Sequence, residues 1–103
     1  MPTDVQELRK VSVKKAPRYC NVLYNNDKTT MDFVIVILEK VFHYTRDKAE
    51  KMTIEIHTSD RGVVHVSSKE RCNYKNHLIN QIKKVVGDTE LVHTVEKYDE
   101  ESE

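Results

Sequence analysis

The side chains in this 103-residue chain that could do chemistry are two cysteines, five histidines and a cluster of Asn and Asp residues. Cys72, with Asn73 beside it and a histidine nearby, has the composition of a Cys–His–Asn nucleophile. The competing reading is a small apolar residue on a helix, the usual behaviour of an unpaired cysteine, and the sequence favours it. Cys20 and Cys72 do not form a CxxC pair, which fits reduced thiols in a reducing compartment. His43, His57, His65, His77 and His93 fall in neither HExxH nor paired CxxC spacing, so no metal site is expected. GxSxG, GxGxxG and P-loop motifs are absent, and no cofactor is expected. An acid–base pair of Asp27 and His57 is conceivable, but it would lack a placed nucleophile.

Two stretches are more informative. Asn25-Asn26-Asp27-Lys28-Thr29-Thr30-Met31-Asp32-Phe33-Val34 reads as a polar turn leading into a capped helix, where Asn and Asp suit turn geometry. Thr53-Ile54-Glu55-Ile56-His57 falls on a second helix. There residues 53, 56 and 57 stand at i, i+3 and i+4 and share a face. That face offers a small wall, an apolar wall and an imidazole. Taken alone, His57 also suits a helix C-terminus, where the dipole favours a cation.

The elements that must position these residues follow from patterning. Tyr19–Tyr24 is rich in β-formers and predicts a strand. Thr29, with Asp32 three residues on, resembles an N-cap for a first helix from Thr30 to about Phe42, in which Phe33, Val34, Ile37, Leu38 and Val41 recur at helical spacing. Thr45 caps a second helix, Arg46 to about Ile56, with Ala49, Met52 and Ile56 inward, and Gly62 allows a tight turn. Val63–Val66 predicts a second strand. Ser68 caps a third helix over Lys69–Val86, with Cys72, Ile79, Ile82 and Val86 on one face and Gly87 as its stop. Leu91–Glu96 is the last strand. The order β-α-α-β-α-β predicts an α+β, two-layer domain, a three-stranded sheet packed with three helices.

Composition bounds the functions. The chain carries 17 Lys+Arg and 17 Asp+Glu, and such neutrality argues against a general nucleic-acid binder. No apolar run reaches the roughly 20 residues of a bilayer span, and the first 18 residues hold no signal-peptide core, so a cytoplasmic protein is expected. Charge concentrates at the ends. Asp4 and Glu7 oppose Arg9, Lys10, Lys14, Lys15 and Arg18 for a net of +3, and the stretch from Glu96 to Glu103 nets −4. Residues 1–18 therefore read as a disordered extension, 19–98 as the core domain and 99–103 as an acidic tail.

From Arg18 to Tyr98 the residues resemble the ClpS family of adaptors for bacterial Clp AAA+ proteases. The family pattern V-L-L-N-D-D-x-T-x-M-E/D-F-V is met here by V-L-Y-N-N-D-K-T-T-M-D-F-V, Val22–Val34. About twenty residues later the family's apolar-x-apolar-His is met by I-E-I-H, Ile54–His57. The resemblance implies the same element order, with an antiparallel sheet of the kind shared with the ribosomal stalk protein's C-terminal domain. It also implies a non-enzymatic adaptor, monomeric when unbound. Such an adaptor binds N-degron substrates that begin with Phe, Leu, Tyr or Trp and delivers them to the N-terminal domain of the unfoldase ClpA or ClpC.

By this resemblance Asn25, Asp27 and His57 hold the substrate's free α-amino group. That group has a pKa near 8 and is mostly cationic at neutral pH. The first side chain enters a slot formed by Leu23, Thr29, Met31, Thr53, Ile56 and Leu91, with Met31 excluding β-branched side chains at its entrance. Glu70 and Lys75 match contacts to the unfoldase. The chain departs from the pattern in three places. Asn26 replaces an acidic residue, Thr53 replaces Met and should enlarge the slot toward Tyr or Trp, and Ile56 replaces the commoner Val. A generic protein-interaction domain of related fold is the alternative; it would have no need of an Asn/Asp/His rim beside an apolar slot.

Overall fold

A computed structural model describes residues 17–87 and 90–99. The sequence-expected extension, 1–18, and acidic tail, 99–103, lie almost wholly outside these residues, although Arg18 opens the first strand. Six elements follow in the predicted order: β1 (Arg18–Tyr24), α1 (Met31–Lys40), α2 (Arg46–Ser59), β2 (Arg61–Ser67), α3 (Lys69–Val86) and β3 (Val92–Tyr98). β1 is the central strand and pairs antiparallel with both neighbours, in the order β2-β1-β3. Among the described residues no helix is long and apolar enough to cross a membrane.

Each helix starts on a hydroxyl that accepts from a backbone N–H three residues on, which satisfies one of the orphan donors at a helix start. Thr45 accepts from Lys48 N at 3.3 Å and Ser68 from Arg71 N at 3.2 Å, as the sequence predicts. On α1 the cap is Thr30, which accepts from Phe33 N at 3.1 Å, and not Thr29. The reason is the turn before it. Lys28 N donates to Asn26 Oδ1 at 2.7 Å and Thr29 N to Asn26 O at 3.1 Å, so residues 26–29 are consumed by a tight turn and the helix begins one residue late.

The core is built from Leu23, from Val34, Ile35, Ile37 and Leu38 of α1, from Ala49 and Ile56 of α2, and from Val64, Ile79 and Leu91. Val86, assigned to the buried face of α3 from periodicity, is exposed. Asn21 is buried at the centre of the sheet and fully engaged. Its Nδ2 donates to Cys72 O at 3.0 Å, pinning α3 to β1, and its Oδ1 faces His65 Nδ1 at 2.9 Å.

Two local features of β2 differ from expectation. The turn out of α2 is made by Asp60 in the left-handed region (φ 73°), a conformation short polar residues tolerate. Gly62 lies within the strand instead, where a Cβ would stand 2.8 Å from Ile56 Cγ1. Its role is to let β2 approach α2 closely. Two positions further on, the register slips between Asn21 and Val22, leaving Val64 as the extra residue of a bulge. The bulged carbonyl is not left unpaired: Tyr44 donates its hydroxyl to Val64 O at 2.6 Å.

Candidate functional site

The 25–31 loop, the start of α1 and the C-terminal half of α2 enclose a cavity of about 170 Å³. It is lined by Tyr24, Asn25, Asn26, Asp27, Thr29, Met31, Val34, Thr53, Ile56 and His57. Asn25, Asp27 and His57 are exposed, whereas Val34, Thr53 and Ile56 are buried. The site is therefore polar where it opens and mainly apolar within. A cavity of about 150 Å³ with apolar walls holds a benzene-sized ring.

Two hydrogen bonds set the mouth. Asn25 N donates to Asp60 O at 2.8 Å, tying the loop to the end of α2. Asn25 Nδ2 donates to His57 O at 3.4 Å. The donor side of the amide is thus spent on the helix, and Oδ1 is left as an acceptor. α2 runs to Ser59, three residues past the expected end, so His57 sits within its last turn.

The walls combine two helices. Met31 and Val34 are i and i+3 on α1, and Met31 is 43% exposed at the first helical position. Thr53 donates its hydroxyl to Ala49 O at 2.7 Å, so its polar atom is spent inside α2 and it contributes a small, chemically apolar wall. Thr29, freed from capping, behaves differently: its Oγ1 is buried and unpaired.

Of the slot residues expected from sequence, Thr29, Met31, Thr53 and Ile56 line the cavity. Leu23 and Leu91 lie in the hydrophobic core and are not among its lining. Tyr24 and Val34 line it without having been singled out. Tyr24 ends β1 directly before the 25–31 loop, and that adjacency was the available signal. Tyr24 is firmly held. Its hydroxyl donates to Glu96, which also accepts from Thr94 Oγ1 at 2.7 Å and pairs with Arg61 at 3.2 Å. The Arg61 guanidinium stands 5.4 Å from the Tyr24 ring centroid. These donors, the Tyr24 hydroxyl first, hold the Glu96 carboxyl below its ordinary range.

Asn26 explains itself structurally. Its Oδ1 closes the turn, and its Nδ2 donates to Glu90 O at 2.8 Å, linking the loop to the approach to β3. An aspartate could keep the first bond but not the second. Asn26→Asp is expected to cost about 1 kcal/mol of stability, the net worth of a hydrogen bond. Chemical denaturation measures this.

The Cys–His nucleophile does not assemble. Cys72 Sγ lies 4.0 Å from His65 Nδ1, but that nitrogen faces the Asn21 amide oxygen and donates to it. Burial pushes the Cys72 thiol up. Burial first, then Lys75 and Arg71, pushes His65 down. A thiolate–imidazolium pair needs both shifts reversed. Among the described residues no group of three or more His, Cys, Asp and Glu could hold a metal ion.

Glu70 and Lys75 are not equivalent. Glu70 is exposed in the first turn of α3. Lys75 is half-buried and donates Nζ to Val41 O at 2.8 Å, which caps the end of α1.

Fold and site together define a small α+β module in which this cavity joins a polar mouth to an apolar interior. Residues 14–96 match the family model described as ATP-dependent Clp protease adaptor protein ClpS. The chain is 35% identical to the ClpS adapter protein of Xanthomonas oryzae over 79 residues, 77% of this chain and 74% of that protein. It is 36% identical to that of Acetivibrio thermocellus over 80 residues, 78% and 81% of the two chains. A solved structure of Agrobacterium tumefaciens ClpS2 bound to L-phenylalaninamide superposes with a TM-score of 0.74 at 26% identity, covering 82% of this chain and all of that one. The chain belongs to the ClpS family of Clp protease adaptors.

Proposed function

We propose that this adaptor binds proteins through a free N-terminal α-amino group and a bulky hydrophobic first side chain, and delivers them to a Clp AAA+ unfoldase without itself breaking a bond. The observation that carries this reading is one cavity lined both by Asn25, Asp27 and His57 and by Met31, Val34, Thr53 and Ile56. An α-ammonium offers three donors. Asn25 Oδ1 and a His57 ring nitrogen are acceptors for two of them, and Asp27 supplies negative charge directly or through water. The interior suits an apolar side chain, worth about 1.5–3 kcal/mol when buried. The ligand of the Agrobacterium relative, L-phenylalaninamide, has both parts: a free α-amine and a benzyl side chain. Met31, half-exposed at the cavity, would meet a β-branched side chain first.

For handover, Glu70 and Lys75 on α3 are the proposed contacts to the N-terminal domain of the unfoldase, ClpA or ClpC. Glu70 would act as a free surface charge. Lys75 would act from a position already fixed by the end of α1. A cytoplasmic, bacterial setting goes with that partner.

The test is a titration of peptides that differ only in the first residue, with N-acetylated controls. Phe-, Leu-, Tyr- and Trp-initiated peptides should bind, near micromolar, about −8 kcal/mol. Acetylation removes the charge and two donors, leaves the mouth's acceptors unpaired at about 1–3 kcal/mol each, and should abolish measurable binding. Equal binding of acetylated and free peptides would overturn the reading.

A further inference from the structure

α3 carries a polar stripe aimed at the approach to β3. Asn76, Asn80 and Lys83 stand at i, i+4 and i+7 and so share one face of the helix. All three engage Leu91 or His93. The His93 ring lies between the two amides, with Nδ1 2.5 Å from Asn76 Oδ1 and Nε2 3.2 Å from Asn80 Oδ1. Lys83 donates Nζ to Leu91 O at 2.7 Å. Leu91 lies just before β3, with its side chain in the core. Its neighbour Glu90 accepts from Asn26 Nδ2 at 2.8 Å. Asn26 in turn sits between Asn25 and Asp27, and its Oδ1 and backbone O fix the turn at Lys28 N and Thr29 N. A continuous set of contacts thus runs from α3 through residues 90 and 91 to the loop that carries the polar mouth.

We propose that Lys83 is a positioning residue for the α-amino-binding mouth: by holding Leu91 it sets Glu90 O, and through Glu90 O and Asn26 it sets where Asn25 and Asp27 stand. The inference rests on the N-terminal-residue reading given above and deepens it. Lys83 is not among the residues lining the cavity and touches no ligand itself. The mouth needs such a hold. Asn25 and Asp27 are exposed residues of a loop, so neither core packing nor a strand ladder fixes them. A binding constellation works when its groups are kept within about 0.5 Å of the productive geometry by supporting contacts, and hydrogen bonds weaken steeply once misaligned. From the α2 side the loop is held by Asn25 N on Asp60 O and by Asn25 Nδ2 on His57 O, the latter long at 3.4 Å. The Asn26–Glu90 bond holds it from the α3 side, and Lys83 anchors the chain at that end.

The experiment titrates Phe- and acetyl-Phe-initiated peptides by calorimetry against the wild type, Lys83→Met, Lys83→Arg, Asn26→Ala and the double variant Lys83→Met with Asn26→Ala, at a temperature where circular dichroism shows each to be folded. Lys83→Met keeps the apolar stem and removes the donor. It should weaken the free Phe peptide about threefold, within the range of one net hydrogen bond, and Lys83→Arg, which still donates, should recover most of the loss. Asn26→Ala should weaken binding at least as much as Lys83→Met. The double variant should bind as Asn26→Ala does, because the route from Lys83 is already cut. A lysine with a merely structural role would add its loss on either background, as independent sites do. Wild-type affinity in Lys83→Met overturns the proposal. So does Lys83→Arg binding as weakly as Lys83→Met, or a double variant whose loss is the product of the two single losses. If Lys83→Met does not fold, Lys83→Gln, shorter and neutral, takes its place with the same expected results. These failures leave the adaptor reading standing so long as the wild type binds free Phe and not acetyl-Phe. Wild-type binding of neither peptide, or of both alike, removes the adaptor reading and this proposal together.

Discussion

His57→Ala should weaken binding of a Phe-initiated peptide at least tenfold, about 1.4 kcal/mol, with the fold unchanged. The size follows from what the ring offers. A hydrogen bond to a charged partner contributes about 1.5–3 kcal/mol, and the imidazole is one of the groups proposed to accept from the α-ammonium at the cavity mouth. The specificity of the effect follows from the local geometry. Asn25 is tied to this turn of α2 through the backbone carbonyl of residue 57 and through Asp60 O. Alanine keeps that carbonyl, so the loop stays tethered and only the ring is lost. The side chain is exposed, and its removal opens no core cavity. A thermal melt should therefore match the wild type while the titration does not. His57→Asn, which returns a neutral acceptor on a shorter stem, should recover part of the loss. Unchanged affinity in His57→Ala would remove His57 from the mouth.

The features legible in the sequence were those that depend on neighbours along the chain. Hydroxyl caps at Thr45 and Ser68, the glycine stop at Gly87 and the apolar stripes of α1 and α2 are local devices, and the element order follows from them. The grouping of residues 53, 56 and 57 is equally local, because helical spacing alone puts them on one face. Most of what escaped depends on contacts across the fold. Whether Thr29 or Thr30 caps α1 turns on an Asx turn that ends one residue later than composition suggests. Whether Leu23 or Tyr24 reaches the cavity depends on how the chain leaves β1 for the 25–31 loop, which residue type does not show. Lys75 has the look of a solvated charge on α3 until α1 is seen to end with a carbonyl beside it. Asn26 looks like the loss of an acidic group until Glu90 O is found opposite its amide.

Most of these misses share a cause that bears on the site. The mouth and the interior of the cavity come from segments about thirty residues apart, joined by backbone-directed hydrogen bonds and by van der Waals contact, neither of which leaves a signature in residue type. The spacing between α2 and β2 is therefore expected to bear on the slot's width alongside the residues that line it.

Gly62→Ala tests that spacing directly and should lower stability by about 1–3 kcal/mol, the cost of overpacking a filled core. A Cβ at position 62 would stand 2.8 Å from Ile56 Cγ1 and 3.4 Å from Met52 Sδ. Methionine can yield, being unbranched and flexible. Ile56 cannot yield as easily: it is β-branched on a helix, with one strongly preferred χ1 rotamer, and it is 3% exposed. Relief must come from shifting α2 away from the sheet or from turning Ile56, and Ile56 is a wall of the cavity. The substitution should accordingly lower the denaturation midpoint and weaken Trp- and Tyr-initiated peptides more than Leu-initiated ones, although residue 62 is not itself among the cavity's lining. Ile56→Ala in the same chain removes the clashing atom. The double variant should then lose less stability than the sum of the two single losses, with a coupling of about 0.5 kcal/mol or more between contacting residues. Strict additivity, or a Gly62→Ala protein as stable as the wild type, would show that β2 and α2 have slack between them and that the slot's width is set by its lining residues alone.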